Sequence, residues 1–131
     1  MTKNELSQLY WLNREIRRDK QKLAELRAAA EGGTAKISGM PHVSGVSRSI
    51  ENYSVLIAEQ EELINAKIKQ TIILYNQLNR YIATVQDSLM RQILTCRYVD
   101  GYSWAKVAVC VGGSNTEDSV RMVHNRFLKE N

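Results

Sequence analysis

The chain has 131 residues, of which 44% are hydrophobic and 24% are charged, with a net charge of +4. This length suits one small domain, or a small domain with a helical extension. No uncharged apolar window of about 18 residues occurs, and charges interrupt the apolar positions near the amino end, so we expect no transmembrane helix or signal peptide and a cytoplasmic protein. The single Pro and the few alternating β-branched residues indicate an all-α fold.

The first predicted element is a long amphipathic helix over residues 4–30. Its apolar residues occupy the a and d positions of a heptad pattern, with Asp19 as the one polar residue at a d position. Such a helix cannot bury its apolar stripe alone. The stripe consists of Leu9, Leu12, Ile16, Leu23 and Leu26, and Leu6, Tyr10 and Trp11 lie off it.

The second predicted helix runs from about residue 47 to residue 84. It follows the segment 32–47, which combines Gly, Ser, Thr and the only Pro and is predicted to be a mobile connection. We expect the two helices to fold back on each other, so that residues 1–84 form a long antiparallel helical hairpin. The main stripe of the second helix is Ile50, Tyr53, Ile57, Ile64, Ile68, Ile72, Tyr75, Leu78 and Ile82.

Several apolar residues of the second helix lie off its main stripe, namely Leu56, Leu63, Ile73 and Leu74. Helices with two apolar faces favour self-association, and the hairpin is therefore predicted to form a homo-oligomer, with a dimer as the first choice. The alternative is that these residues, together with Leu6, Tyr10 and Trp11 of the first helix, pack on the carboxyl-terminal domain of the same chain.

Residues 85–131 are predicted to form a separate domain of three short helices. In the first helix Met90, Ile93, Leu94 and Tyr98 share one face, Asp87 or Ser88 is the cap and Gly101 ends the helix. In the second helix Ser103 is the cap, and the apolar face consists of Trp104, Val107, Ala108 and Val111.

The third helix follows a predicted tight turn at Gly112 and Gly113. Ser114 and Glu117 have the spacing of a capping box and are predicted to begin the helix. The predicted buried stripe is Val120, Val123, Phe127 and Leu128, and the opposite, polar side carries Asp118, Arg121, Met122, Asn125 and Lys129. Two helices joined by a short Gly-containing turn, the second with a polar outer face, are typical of a DNA-binding helix-turn-helix.

The segment ILTCRYVDGYSWAKVAVCVGGSNTEDSVRMVHNRFLKE resembles the carboxyl-terminal domain of sigma-70 factors, region 4. It is still more similar to small phage and mobile-element proteins of Gram-positive bacteria, the ArpU/RinA-type late transcription regulators and their uncharacterised relatives. The matching residues are Arg97, Tyr98, Gly101, Ser103 and Trp104, and the long helices and the Gly39-Met40-Pro41 loop extend the resemblance over nearly the whole chain. The resemblance implies a sequence-specific transcription regulator that binds double-stranded DNA, with host RNA polymerase as a further candidate partner.

The resemblance also assigns the positions that would contact DNA. The positions that face the bases correspond to Thr116, Glu117, Asp118, Arg121 and Met122. Helix geometry adds Asn125, and Asn115 lies beside the free amides at the helix start. Candidates for phosphate contacts are Ser103, Lys106, Arg126 and Lys129.

The charge of this domain is nearly balanced, because residues 86–131 contain six basic and five acidic groups. A single copy is therefore predicted to bind DNA weakly. Sigma factors are usually rich in Arg where this chain has Glu117 and Asp118, which keeps open a module that binds protein and not DNA. A phage DNA-packaging adaptor of the small-terminase type is the other alternative.

Catalytic chemistry is not expected. His42 and His124 have no Cys, Asp or Glu partners at metal-ligand spacing, and the Gly-rich segment lacks the residues of a phosphate-binding loop. We therefore predict that the protein is not an enzyme and has neither a metal nor a cofactor. His124 is predicted to pack in the helical domain or to contact phosphate.

Overall fold

The structure is a computed structural model that describes residues 1–32 and 46–131. Every regular element in these ranges is helical, which confirms the all-α class. Most of the predicted connection 32–47, namely residues 33–45 with His42, lies outside the described residues. The side chain of Ile50 also lies outside them. The helices are α1 (Lys3–Ala30), α2 (Val46–Thr84), α3 (Ser88–Leu94), α4 (Trp104–Val111) and α5 (Glu117–Glu130), and a π-helical segment (Thr95–Val99) continues α3.

The chain divides into two compact units. We call residues 1–13 and 71–131 the terminal unit, and residues 14–70 the middle unit. The proposed domains 1–84 and 85–131 stay a prediction. None of the helices in the described ranges is both long and apolar enough to cross a membrane.

The core of the terminal unit contains the apolar faces predicted for the three short helices. Ile93 and Leu94 of α3, Val107 of α4 and Val120 of α5 are all fully buried. The start of α3 also agrees with its sequence, because the Asp87 carboxylate accepts a hydrogen bond from the Leu89 N–H at 3.3 Å.

The apolar face of α1 differs from its prediction at the amino end. Leu6, predicted to lie off the stripe, is fully buried in the same cluster as Leu78 and Ile82 of α2 and the residues of α3, α4 and α5. The short helices give this part of α1 a second apolar surface, which the heptad pattern does not anticipate.

Two residues of the predicted α2 stripe, Ile72 and Tyr75, are exposed. At 100° per residue they lie about 120° and about 60° around the helix from Leu78, which is buried. The buried face of α2 in the terminal unit is therefore narrower than the predicted one.

The middle unit pairs a segment of α1 with a segment of α2. Asp19 contacts Lys67, and farther along α1 Arg27 contacts Glu61, which lies earlier in α2. The two segments therefore run in opposite directions. The polar d position of Asp19 is explained by its ion pair with Lys67 and by the Gln60 amide, which donates to the Asp19 carbonyl oxygen.

Candidate nucleic-acid interface

Two of the candidate phosphate contacts, Ser103 and Lys106, lie together at the start of α4. The Ser103 hydroxyl accepts a hydrogen bond from the Lys106 N–H at 3.3 Å, so Ser103 caps the helix as predicted. The Lys106 Nζ lies 4.1 Å from the centre of the Tyr102 ring. A cation on an exposed aromatic face is held by about 0.5–1 kcal/mol, so the ammonium can leave the ring for a phosphate at little cost.

The turn between α4 and α5 depends on two glycines. Gly112 and Gly113 have φ values of 69° and 66°, a region that side chains with a Cβ rarely adopt. Asn115, a predicted DNA contact, has its amide nitrogen bound to the Gly112 carbonyl oxygen at 2.9 Å. In this conformation the Asn115 side chain closes the turn, and its carboxamide oxygen and second N–H are left to bind a ligand.

The predicted capping box of Ser114 and Glu117 is wrong, and the helix begins two residues later than that pattern indicates. The cap is Thr116, whose hydroxyl accepts from the Ser119 N–H at 3.1 Å, while the Ser119 hydroxyl accepts from the Thr116 N–H at 2.8 Å. Thr116 follows the turn that Asn115 closes, and it has the extended conformation that a cap requires.

The outer side of α5 presents the predicted row of side chains. Asp118, Met122, Asn125 and Lys129 follow one another at helical spacing, and all are exposed. Met122 is unusual for an apolar residue in being 60% exposed. Val120, on the opposite side of α5, is fully buried.

Arg121 is held by its own helix. One guanidinium nitrogen lies 2.6 Å from the Asp118 carboxylate and the other lies 3.7 Å from the Glu117 carboxylate. All three residues are predicted to face the bases, and the structure shows that they form one ion-pair cluster. Arg126 and Lys129 are exposed and have no ion-pair partner in the described part of the chain.

The inner side of α5 contains a buried polar group that the apolar pattern did not include. His124 is fully buried, its Nε2 lies 2.5 Å from the Tyr98 hydroxyl, and its ring centre lies 4.7 Å from that of Trp104. The four-residue spacing of Val120, His124 and Leu128 is the sequence signal that places His124 on the buried face. Tyr98 reaches it from the π-helical segment.

The partners of His124 indicate a neutral ring. Its Nδ1 lies 3.0 Å from the Asn125 Oδ1, so we assign the proton to Nδ1, and Nε2 accepts from the Tyr98 hydroxyl. Burial lowers the pKa of His124, while the bond to Asn125 acts in the opposite direction. Burial also raises the pKa of Tyr98 to about 12. His124 therefore packs α5 against the domain, and contact with phosphate is excluded by its burial.

In the described residues no group of three or more His, Cys, Asp or Glu side chains is placed to hold a metal ion. Comparison of the chain with protein-family models, with curated proteins and with solved structures gave no match. The candidate interface therefore rests on the residues and contacts of this chain.

Proposed function

We propose that the chain is a sequence-specific DNA-binding transcription regulator of a phage or mobile element. In this proposal α4, the turn at residues 112–116 and α5 act as a helix-turn-helix that resembles sigma-70 region 4. The supporting observation is the exposed outer face of α5 with Asp118, Met122, Asn125 and Lys129, opposite a buried face that packs on the domain. A helix presented in this way fits the major groove of DNA.

The side chains of this face have distinct proposed roles. Arg121 would bind guanine, Asn125 would bind adenine, and the carboxylates of Glu117 and Asp118 would accept bonds from cytosine. The amino end of α5, with Asn115 and Thr116, would approach the groove first. Phosphates would be contacted by Ser103, Lys106, Arg126 and Lys129.

The ion pairs of Arg121 are compatible with this role. Exposed pairs of this kind contribute about 0–1 kcal/mol, so a guanine can displace the carboxylates from the guanidinium. Their presence nevertheless lowers the positive potential of the helix. Binding would therefore depend more on the correct base than on the phosphates.

The weak net charge is the reason to propose several copies acting together. Residues 86–131 carry one more basic than acidic group, which is little for a protein that neutralises phosphates. We propose that a homo-oligomer, a dimer in the first instance, forms through the helical hairpin of residues 1–84 and joins several domains. Leu56 and Leu63 of the middle unit are exposed seven residues apart, on one face of α2, and support this role. Host RNA polymerase is a further proposed partner.

The test compares Arg121 with Lys129. After a preferred site has been selected from random duplexes, we expect Arg121→Ala to lose discrimination between this site and random DNA. We expect Lys129→Ala to weaken binding to both and to reduce the salt slope by about one unit. Fluorescence anisotropy at several salt concentrations measures both quantities.

Lys22→Ala is the matched control, because Lys22 is an exposed α1 residue outside the proposed interface. It should leave the discrimination and the salt slope unchanged. If Arg121→Ala and Lys129→Ala have the same effect on the two kinds of DNA, the proposed roles of α5 are wrong.

A protein-binding module is the second candidate. It is favoured by the pairing of Arg121 with two carboxylates and by Val109, which is 80% exposed on α4. Absence of salt-dependent binding to any duplex would support this candidate over the regulator. The mass of the protein, measured by light scattering in the same experiment, tests the packaging adaptor, because a ring of many subunits would favour it.

A further inference from the structure

A second polar surface of the terminal unit is separate from the outer face of α5. A cavity of about 620 Å³ lies between the first turns of α1 and the segment that leads from α3 to α4. Its size falls within the range of about 300–1,000 Å³ that is usual for small-molecule sites. The side chains that characterise it are Lys3, Ser7, Trp11, Arg97 and Ser103.

The charge of the cavity favours an anion. Lys3 and Arg97 supply two positive charges, and none of the described residues that line the cavity is acidic. Both cations line the same cavity, so their charges add at a ligand bound there. The hydroxyl of Ser7 and the capping hydroxyl of Ser103 add polar atoms to the walls.

The Arg97 guanidinium is held in place without a carboxylate from the described residues. One of its nitrogens donates to the Tyr102 carbonyl oxygen at 2.9 Å, and its central carbon lies 4.5 Å from the centre of the Trp104 ring. A guanidinium has five N–H donors, so this arrangement fixes its orientation and leaves donors for a ligand. An oriented guanidinium with free donors suits the oxygens of a phosphate.

The aromatic wall of the cavity is Trp11, which is 58% exposed and packs edge-on against Tyr10 at 5.1 Å between ring centres. Tyr10 in turn lies against Gly101, where a Cβ would come within 3.4 Å of the Tyr10 ring. This distance is an ordinary van der Waals contact, so it is the φ of 73° at Gly101, and not the ring, that favours glycine here. An exposed indole beside cations is a surface on which a nucleic-acid base can stack.

We infer that this cavity binds a nucleotide unit, with its phosphate between Lys3 and Arg97 and its base against Trp11. The unit has the same chemistry whether it is a free nucleotide or part of a single strand. The inference does not depend on the proposed binding of duplex DNA by α5. It assigns a ligand to Lys3, Trp11 and Arg97, which have no role in the proposed helix-turn-helix, whereas Ser103 borders both sites.

The experiment titrates the full chain with adenosine 5′-monophosphate, a 5′-phosphorylated single-stranded oligothymidylate and inorganic phosphate, each by calorimetry. We expect the mononucleotide to bind with a dissociation constant of about 1 mM or tighter. Lys3→Gln should weaken it about tenfold, because a charged hydrogen-bond partner is lost. Trp11→Ala should weaken it at least about fivefold, and Trp11→Phe should restore most of the affinity because a ring remains.

Lys22→Gln is the control, since it removes the same charge from an exposed position of α1 outside the cavity. Circular dichroism checks that each variant folds. Competition between the two nucleotide ligands identifies the source: tighter binding of the oligonucleotide with displacement of the mononucleotide indicates a strand, and the reverse indicates a free nucleotide. Either result supports the inference.

Two results would overturn it. If inorganic phosphate binds as tightly as the mononucleotide and Trp11→Ala binds like the original protein, the base does not contribute to binding at this site. If none of the three ligands gives heat or displacement at several millimolar, the cavity is not a nucleotide-binding site. Duplex binding is measured separately, so neither result bears on the role of α5.

Discussion

The terminal and middle units accommodate polar side chains on apolar helix faces in opposite ways. In the terminal unit His124 is fully buried, neutral and hydrogen-bonded to Tyr98. In the middle unit Lys67 remains partly exposed and lies 2.5 Å from the Asp19 carboxylate and 2.7 Å from that of Glu15. A fully buried charge is costly, whereas a partly hydrated one can be balanced by its partners, so the depth of burial decides which chemistry is found.

The two units also differ in the apolar material around these groups. The terminal unit buries residues from α1, α2, α3, α4 and α5 in one cluster. The described residues of the middle unit bury Ile16, Leu23 and Ile64 together with the polar Gln60. We therefore expect the terminal unit to be the more stable of the two.

The largest expected effect tests this difference directly. Leu94→Ala should lower the free energy of unfolding by about 3–5 kcal/mol, because Leu94 is fully buried and the cavity cannot collapse. Leu23→Ala, in the middle unit, should cost about 2 kcal/mol, the low end of the range, because fewer buried residues surround Leu23 and the site can relax more easily. Urea unfolding gives the free energies, and hydrogen exchange assigns each loss to its unit. Equal losses would break the comparison.

The next largest expected effect is on the pH dependence of stability and concerns the neutral pair of His124 and Tyr98. Burial lowers the pKa of His124 from its ordinary value of 6.5, so the unfolded chain takes up a proton that the folded chain resists. Stability from this site is complete above pH 6.5 and is lost as the pH falls toward the lower folded value, with a limiting slope of about 1.4 kcal/mol per pH unit.

His124→Gln should remove this dependence while leaving an oxygen that can accept from Tyr98. The measurement is the free energy of unfolding of both proteins at pH 7.5, about 6.5 and about 5.5, a window chosen to lie above the ordinary carboxyl range. His42 is present in both proteins and cancels in the difference. If the two pH profiles run parallel, His124 is not the buried neutral group described here.

Features that depend on neighbouring residues were predicted from the sequence, whereas features that depend on contacts between distant residues were not. Local signals are reliable for the caps at Asp87 and Ser103, because a cap bonds to a backbone N–H only two or three residues away. The predicted cap of α5 was wrong because Ser114 and Thr116 both have side chains that can cap a helix. The length of the turn, set by Gly112 and Asn115, selects Thr116.

Long-range contacts explain the other misses. Tyr98 and His124 are 26 residues apart, and no pattern within either helix indicates that one hydroxyl will meet one ring. Leu6 is buried because the short helices are placed beside α1, which the heptad pattern of α1 cannot express. The outer face of α5 was predictable because helical spacing alone decides which residues lie opposite Val120. The ion pairs of Arg121 also follow from spacing and were foreseeable as a competing arrangement.

The smallest expected effect is at the charged cluster. The hydrogen bonds that the Lys67 ammonium donates to Asp19 and, with a smaller effect, to Glu15 raise the pKa of Lys67 above 10.5, against the opposing effect of burial. Its contribution is therefore complete at neutral pH and is lost only as the pH rises through the raised value, on the opposite side of the scale from His124. Lys67→Met should cost about 1 kcal/mol at low salt, since Glu15 remains largely hydrated and the methylene stem can still pack.

Lys69→Met is the matched control, because Lys69 is exposed two positions away and has no ion pair in the described part of α2. It should change stability by less than about 0.5 kcal/mol. The difference between the two variants should shrink in part in 1 M sodium chloride, because the Debye length falls to about 3 Å, which is comparable with the separations of Lys67 from Asp19 and Glu15. A loss at Lys67 that high salt leaves unchanged would mean that packing and not charge holds Lys67 in place, and the two units would then differ in burial alone.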